Sequence, residues 1–265
     1  MKKRLSGASL DPPGVDLGRQ KDGWSTCHRD GLGEAVLLAL CPGELMDALA
    51  GDTPIPGELG PRDQPAQVPD MEWMRVPDTD VPAIGATNWA GGLAATEHLL
   101  SLGHRRIGAI AGPGDYLCSR ARTDGYRSAL ERAGIKFNPT LVRHGDFQHE
   151  AGFVCGGELL GLPEPPTAIF AGSDQQAFGL YEAARQRGLR IPQDLSVVGF
   201  DDLPVSRWVP PPLTTVRQPL DEMGRAAAQM LGDLIEGRPL RSSRVELSTE
   251  LIIRESTAAP TRVCS

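Results

Sequence analysis

Short apolar segments alternate with amphipathic helical segments from about residue 82 onward, and this alternation most constrains the fold. The apolar runs predict strands at residues 107–111, 141–144, 167–171, 195–200, near 215, and at 245–254. Helical spacing between cap and stop residues predicts helices at residues 88–102, 119–133, 149–160, 174–187 and 220–236. Strands that alternate with helices form a parallel sheet covered on both faces. The sequence therefore predicts an α/β fold of doubly wound parallel sheets.

The first eighty residues differ in composition from the rest of the chain. Of these 80 residues, 19 are Gly or Pro, close to the range of low-complexity or disordered chains. Only residues 33–50 show the apolar spacing of a helix. We therefore interpret residues 1–80 as an atypical segment that is partly disordered or is the remnant of a lobe.

Bulk properties narrow the possible functions. The chain has 265 residues and a formal net charge of −7, which argues against a broad nucleic-acid-binding surface. Its five cysteines are scattered without CxxC spacing, and its histidines share no metal spacing, so we expect free thiols and no metal or cofactor. No apolar core follows the basic N-terminus, and no stretch reaches the length of a membrane span. We expect a cytoplasmic protein.

The strand predicted at residues 195–200 runs directly into two carboxylates, Asp201 and Asp202. Open α/β sheets bind ligands at the carboxyl ends of their strands. Asp201 could accept two hydrogen bonds from vicinal hydroxyls of a sugar, or it could cap the following turn. We interpret Asp202 as the turn residue.

Four further positions could contact a ligand, and each has a structural alternative. Arg122 could clamp a polar ligand or pair with a surface acid. Phe147 could stack on a sugar ring or pack in the core. Ser173 could make a polar contact with a ligand, and the next residue, Asp174, is interpreted equally well as the N-cap of the following helix. Gln218, taken alone, is an ordinary glutamine at a strand end. Trp89 and Trp208 favour core or subunit-interface positions over ligand contact.

Two segments resemble the effector-binding core of the LacI/GalR family of bacterial transcription regulators. Residues 196–202 read Ser-Val-Val-Gly-Phe-Asp-Asp, and residues 211–219 read Pro-Pro-Leu-Thr-Thr-Val-Arg-Gln-Pro. The resemblance implies a two-lobed core of the type I periplasmic-binding-protein-like fold over residues 81–256. Its parts would be a C-terminal lobe of residues 86–214 and 244–256, a return to the N-terminal lobe at 215–240, and a tail at 257–265.

The resemblance also implies site residues. The family places a ligand-contacting arginine three residues before a Gly-aromatic pair, which here selects Arg122, with Arg120 as a second candidate. Asp201, Ser173 and Gln218 match its other ligand-contacting positions. The implied partners are a mono- or oligosaccharide effector and a second copy of the chain in a homodimer.

The chain departs from the family upstream of residue 81. The rest of the N-terminal lobe should lie there, and the family's helix-turn-helix segment has no counterpart in residues 1–80. We therefore expect a truncated or differently framed remnant, with an incomplete N-terminal lobe, that does not bind operator DNA alone. A transporter's solute-binding protein shares this architecture but needs an export signal. A sugar-active enzyme would need a second carboxylate motif or a phosphate loop.

Overall fold

The computed structural model describes residues 82–261, so the helix predicted at residues 33–50 lies outside the described part. The strands are β1 (Ala83–Ala86), β2 (Ile107–Ala111), β3 (Val142–His144), β4 (Ala168–Ala171), β5 (Ser196–Asp201), β6 (Thr214–Arg217), β7 (Arg244–Leu247) and β8 (Glu250–Ile252). The α-helices are α1 (Asn88–Ser101), α2 (Leu117–Arg132), α3 (His149–Leu160), α4 (Asp174–Gln186) and α5 (Leu220–Ile235).

Six strands form the main sheet in the order β3-β2-β4-β5-β6-β8. The first five run parallel, and β8 joins β6 antiparallel. Every residue of β2 and β4 is buried, as expected for parallel strands covered on both faces. The predicted α/β fold with a doubly wound parallel sheet is confirmed.

Successive residues of each central strand supply two separate cores, because side chains alternate between the faces of a sheet. On one face, Phe170 packs with residues of α1 and α2, including Leu99 and Tyr126. On the other face, Ile169 packs with residues of α3 and α4, including Leu159. The two helix pairs thus cover opposite faces of the main sheet.

Helices α1 and α2 approach so closely that their contact requires glycine. A Cβ atom on Gly125 would lie 2.2 Å from the Trp89 carbonyl oxygen, and one on Gly92 would lie 2.2 Å from the Arg122 carbonyl oxygen. This approach brings Arg122 against the start of α1, where its Nε donates to Asn88 Oδ1 at 2.9 Å. The glycines therefore help to place one of the predicted site residues.

A second, two-stranded sheet pairs β1 with β7 in parallel, and α5 packs on it. Its small core contains Ile84, Ala86, Met223 and Met230. The single strand predicted at residues 245–254 is therefore wrong, because β7 and β8 lie in different sheets. Between β7 and β8 the chain passes from the two-stranded sheet to the main sheet. There the Thr249 backbone N–H donates to Thr87 Oγ1 at 2.9 Å, which ties this connecting segment to the end of β1.

One helix start and one helix cap differ from prediction. Helix α2 begins at Leu117, so Ser119 is a buried residue of its first turn and not its cap. Helix α4 is capped by Ser173, whose Oγ accepts from the Gln176 backbone N–H at 3.1 Å, and not by Asp174. Several polar residues stand near each start, and only the backbone path decides which side chain reaches the free N–H groups.

Neither of the two tryptophans considered above is a core residue. Trp89 is 40% exposed and Trp208 is 76% exposed. The core interpretation was wrong for both, and the interface interpretation stays a prediction. None of the helices between residues 82 and 261 has the length and hydropathy that crossing a bilayer requires.

The position of His104 directly after Gly103 predicts that its side chain interacts with the carbonyl groups at the C-terminus of α1. Its backbone N–H bonds the Leu99 carbonyl, as at a helix end. Its imidazole instead is buried and hydrogen-bonds with Thr167 Oγ1 at 2.8 Å, Ser196 Oγ at 3.0 Å and the Ala258 carbonyl at 2.9 Å. The ring therefore joins the amino ends of two strands to the segment after β8.

Gly125→Ala should destabilise the protein, because the new methyl group would displace the backbone of α1. We expect a loss of about 1–3 kcal/mol in the free energy of unfolding, measured by urea denaturation. Gly224→Ala is the matched control, since the same Cβ atom on α5 meets nothing within 4 Å. It should stabilise by about 0.5–1 kcal/mol through helix propensity. Equal effects of the two substitutions would contradict the close packing of α1 on α2.

Stability should fall as the pH drops below the ordinary imidazole pKa of 6.5. Burial lowers the pKa of His104 from that value, so below pH 6.5 the unfolded chain binds the proton first and unfolding is favoured. The free energy of unfolding should decrease by at most about 1.4 kcal/mol per pH unit from this residue. His104→Gln should reduce that slope in denaturation series between pH 5 and pH 8. An unchanged slope would exclude His104 as its source.

Candidate functional site

The carboxyl ends of the five parallel strands meet at one edge of the main sheet, and five of the six predicted site residues lie there. Phe147 follows β3, Ser173 follows β4, Asp201 ends β5 and Gln218 follows β6. Arg122 reaches the same edge from α2. Arg120 lies two residues earlier on α2, on a different side of the helix, and is exposed. The structure therefore does not bring Arg120 together with the other five.

The guanidinium group of Arg122 is the centre of this cluster. It lies between two rings, 3.7 Å from the centroid of Phe200 and 5.3 Å from that of Phe147. Its Nη1 donates to the Gly172 carbonyl oxygen, and Asn88 holds its Nε. A buried cation needs such partners, because removal from water disfavours its charge. The surface interpretation of Arg122 is thus wrong.

Asp201 contacts two of the predicted residues. Its Oδ1 accepts a hydrogen bond from Gln218 Nε2 at 2.7 Å and lies 3.7 Å from Arg122 Nη1. Its side chain is 14% exposed, so the carboxylate is partly open to the crevice, the space at this sheet edge that Arg122 and Phe147 also border. A carboxylate beside a guanidinium and an amide provides acceptors and donors within one small area. Contact of these groups with a ligand stays a prediction.

Phe147 forms a wall of the crevice, and Ser173 fixes the backbone beneath it. The Phe147 ring packs on Gly112, where a Cβ atom would lie 2.1 Å from the ring, and its centroid is 6.5 Å from that of Tyr116. Ser173 Oγ donates to the Phe147 carbonyl oxygen at 2.6 Å. The Phe147 side chain is buried, as the packing alternative predicts, yet it lines the crevice. Stacking on a ligand is still a prediction.

Strained backbone is concentrated at this edge. Among residues 82–261, the non-glycine residues with positive φ are Phe147 at 72°, Asp201 at 122° and Asp202 at 58°. Each such conformation costs about 1–3 kcal/mol and persists only where surrounding contacts enforce it. All three lie at or directly after the strand ends that carry the candidate site, which favours a functional interpretation.

The pocket within this cluster is small. It has a volume of about 10 Å³ and is lined by Gly112, Ser119, Arg122, Phe147 and Gly172, with residues of β2. This is room for about one water molecule. A ligand as large as a sugar does not fit inside this pocket.

Asp174 is a buried carboxylate near the site whose role the sequence did not indicate. Its oxygens accept from the Leu203 backbone N–H at 2.8 Å, Ser206 Oγ at 2.6 Å and Thr215 Oγ1. Burial raises its pKa above the usual range, and the nearby negative charge of Asp201 raises it further. Asp174 therefore anchors the loop after β5, and the only signal for it was an Asp at a strand-to-helix junction.

Asp202 is more than the turn residue that was predicted. Its backbone is in the left-handed region, as in many turns, but its side chain is only 1% exposed. Arg217 Nε donates to Oδ2 at 2.7 Å, Arg254 Nη2 donates to Oδ1, and Arg207 Nη2 lies 4.0 Å from Oδ2. Sequence reasoning missed this ion-pair cluster because the three arginines are 5, 15 and 52 residues away.

Comparison with known proteins agrees with this architecture. Residues 96–257 match the family of periplasmic binding protein-like domains. The chain is 41% identical over 183 residues to the transcriptional repressor CytR of Escherichia coli K12, covering 69% of this chain and 54% of CytR. It is 39% identical over 217 residues to the regulator CelR of Thermobifida fusca, covering 81% of this chain and 63% of CelR.

Solved structures give the same result. The regulator CelR in its complex with cellobiose superposes with a TM-score of 0.65 at 41% identity, over 68% of this chain and 55% of that one. A LacI family regulator from Enterococcus faecium with bound ribose superposes with a TM-score of 0.64 at 32% identity, over 69% of this chain and 68% of that one. The chain thus belongs to the periplasmic binding protein-like family, among the LacI-type regulators. It spans just over half the length of CytR.

Proposed function

We propose that this chain is the effector-binding and dimerisation portion of a sugar-responsive transcription regulator, acting as a repressor. The observation that carries the proposal is the contact of Arg122, Asp201 and Gln218 at the carboxyl edge of a parallel sheet. This arrangement occurs in a chain whose relatives CytR and PurR are named repressors and whose relative CelR has been solved with cellobiose.

The chemistry of the cluster suits a ligand rich in hydroxyl groups. The Asp201 carboxylate can accept hydrogen bonds from two vicinal hydroxyls, and charge-assisted bonds of this kind are stronger than neutral ones. Arg122 and Gln218 supply donors for ring or hydroxyl oxygens, and Phe147 with Tyr116 supplies an apolar wall. Because aromatic rings and Asn88 already hold Arg122, little side-chain order would be lost on binding.

The two sheets support a two-lobed mechanism. We assign the main sheet, including β6 and β8, to a C-terminal lobe, and the β1-β7 sheet with α5 to the N-terminal lobe. The resemblance implies residues 86–214 and 244–256 for the C-terminal lobe, so this assignment moves β7 to the N-terminal lobe and β6 to the C-terminal lobe. An effector bound between the lobes would favour one relative tilt over another. Binding of effector and of operator DNA by the whole regulator would then be linked reciprocally.

Location and partners follow from this role. We propose a cytoplasmic, non-enzymatic protein that forms homodimers, as the lac repressor does in its dimer bound to operator. The exposed Trp208 supports such an interface, because large exposed aromatics are enriched where subunits meet. The alternatives, a solute-binding protein or a sugar-active enzyme, have less support since the relatives described above are named transcriptional regulators.

Asp201→Ala should weaken effector binding more than any other single change in the cluster. Loss of charge-assisted hydrogen bonds worth about 1.5–3 kcal/mol each should lower affinity at least tenfold. The measurement is isothermal calorimetry with a panel of mono- and oligosaccharides. Asp194→Ala, which removes a carboxylate that pairs with Arg190 before β5, is the control and should bind normally.

Two results would contradict the proposal in different ways. Unchanged affinity in a folded Asp201→Ala variant would remove Asp201 from the binding site. A folded wild-type chain that binds nothing in the panel would contradict effector binding by this chain.

The isolated chain should not bind operator DNA selectively. Its formal net charge of −7 opposes contact with phosphates, and residues 1–80 contain no sequence like the family's reading helix. A gel-shift titration with promoter DNA of the neighbouring operon should show no sequence-selective shift. A saturable shift that unrelated DNA does not compete away would place a DNA-binding element in residues 1–80.

A further inference from the structure

We propose that the ion pair between Asp202 and Arg217 is a positioning element that aligns Asp201 and Gln218 for the effector. The inference rests on the proposed function, since it assigns two further residues to the same site. Neither residue needs to touch the ligand. Their effect would be exerted through the backbone of the neighbouring site residues.

Strand register places two contacts side by side. Asp201 at the end of β5 pairs with Arg217 at the end of β6. The next residue is Asp202 after β5 and Gln218 after β6. Gln218 Nε2 donates to Asp201 Oδ1, and Arg217 Nε donates to Asp202 Oδ2, both at 2.7 Å. Because neighbouring residues in each segment form the two bonds, a shift of one strand end against the other would break both together.

The two contacts differ in their access to solvent. The Asp202 carboxylate is 1% exposed, whereas that of Asp201 is 14% exposed. The Asp201 carboxylate is therefore partly open to solvent, whereas the Asp202 carboxylate is buried beneath the side chain of Arg217, which is 41% exposed. A charge as buried as that of Asp202 requires partners, and the arginines supply them.

The backbone of both aspartates requires an external constraint. Their φ angles of 122° and 58° are rarely adopted by residues other than glycine. Two carboxylate oxygens of Asp202 are held from separate segments, by Arg217 at the end of β6 and by Arg254 after β8. Arg254 is itself fixed by donation from its Nη1 to the Leu213 carbonyl at 2.7 Å. These bonds hold the turn in the conformation that directs Asp201 towards Arg122.

The same ion pair lies where the chain leaves the main sheet. Arg217 is followed by Gln218 and Pro219, which lead directly into α5. Arg217 Nη1 also lies 3.5 Å from Oε2 of Glu250, the first residue of β8, where the chain returns from the two-stranded sheet to the main sheet. The ion pair thus lies beside the effector site and beside both segments that connect the two sheets. Its loss should therefore weaken effector binding more than the loss of a surface ion pair elsewhere.

Three variants of the chain test this inference. Arg217→Met removes the charge and keeps the aliphatic stem, and Arg217→Lys keeps the charge. Arg190→Met is the matched control, because it removes an exposed pair of similar length, 2.8 Å to Asp194, before β5. Affinity for the sugar that the wild-type chain binds is measured by calorimetry, and folding by the thermal midpoint.

We expect Arg217→Met to lower affinity by at least about tenfold, since a displaced polar partner loses its alignment with the ligand. Arg217→Lys should restore affinity to within about threefold of wild type, which a loss of packing alone would not produce. Arg190→Met should bind as wild type does. Wild-type affinity in folded Arg217→Met, or equal losses in the Met and Lys variants, would overturn the inference. If Arg217→Met does not fold, Arg217→Gln replaces it in the same comparison.

A second readout needs no ligand and separates this inference from the proposed function. The side-chain amide of Gln218 donates to Asp201, so its ¹⁵N and proton shifts report their alignment in the free protein. Arg217→Met should move these signals towards those of Asp201→Ala, and Arg217→Lys should not. If no sugar binds wild type, the proposed function fails and this result still decides the positioning role. Unmoved signals in Arg217→Met would overturn it.

Discussion

The buried guanidinium of Arg122 is the interaction on which the candidate site depends. A cation at this depth requires acceptors and aromatic faces, and four separate parts of the fold supply them: the start of α1, the loops after β3 and β4, and the end of β5. Its position depends in turn on Gly92 and Gly125, which allow α1 and α2 to touch. Core packing and ligand chemistry are therefore joined at one side chain.

The same edge of the sheet also holds the strained backbone of the described chain. Phe147, Asp201 and Asp202 adopt left-handed conformations there, and each is held by a specific contact: Ser173 bonds Phe147, Gln218 bonds Asp201, and arginines bond Asp202. The buried carboxylates of Asp174 and Asp202 fix the loop after β5 through two separate contacts. Asp174 accepts from the Leu203 backbone N–H, and Asp202 accepts from Arg217. A rigid edge of this kind holds polar groups ready for a ligand at little further cost in order.

Local pattern predicted much of the fold correctly. Helix α3 has the predicted bounds, and α5 ends within one residue of prediction, because apolar spacing and stop residues are local signals. The errors occur where local signals compete. Ser119 is a better cap type than Tyr116, which precedes α2, and Asp174 is as good a cap type as Ser173, which caps α4. Residues 245–254 are rich in Val, Leu and Ile throughout, although β7 and β8 belong to different sheets.

By itself, the sequence determined the parallel α/β class, the strand that ends in Asp201, and a family motif that selected Arg122, Ser173 and Gln218, because such features depend on residues close together in the chain. Only the tertiary structure decided that Asn88 holds Arg122, that Asp174 is buried, and that arginines as distant as Arg254 converge on Asp202. These contacts join residues 29 to 52 positions apart, and no local pattern encodes which strand ends become neighbours. Strand order and the crossings between the sheets determine that.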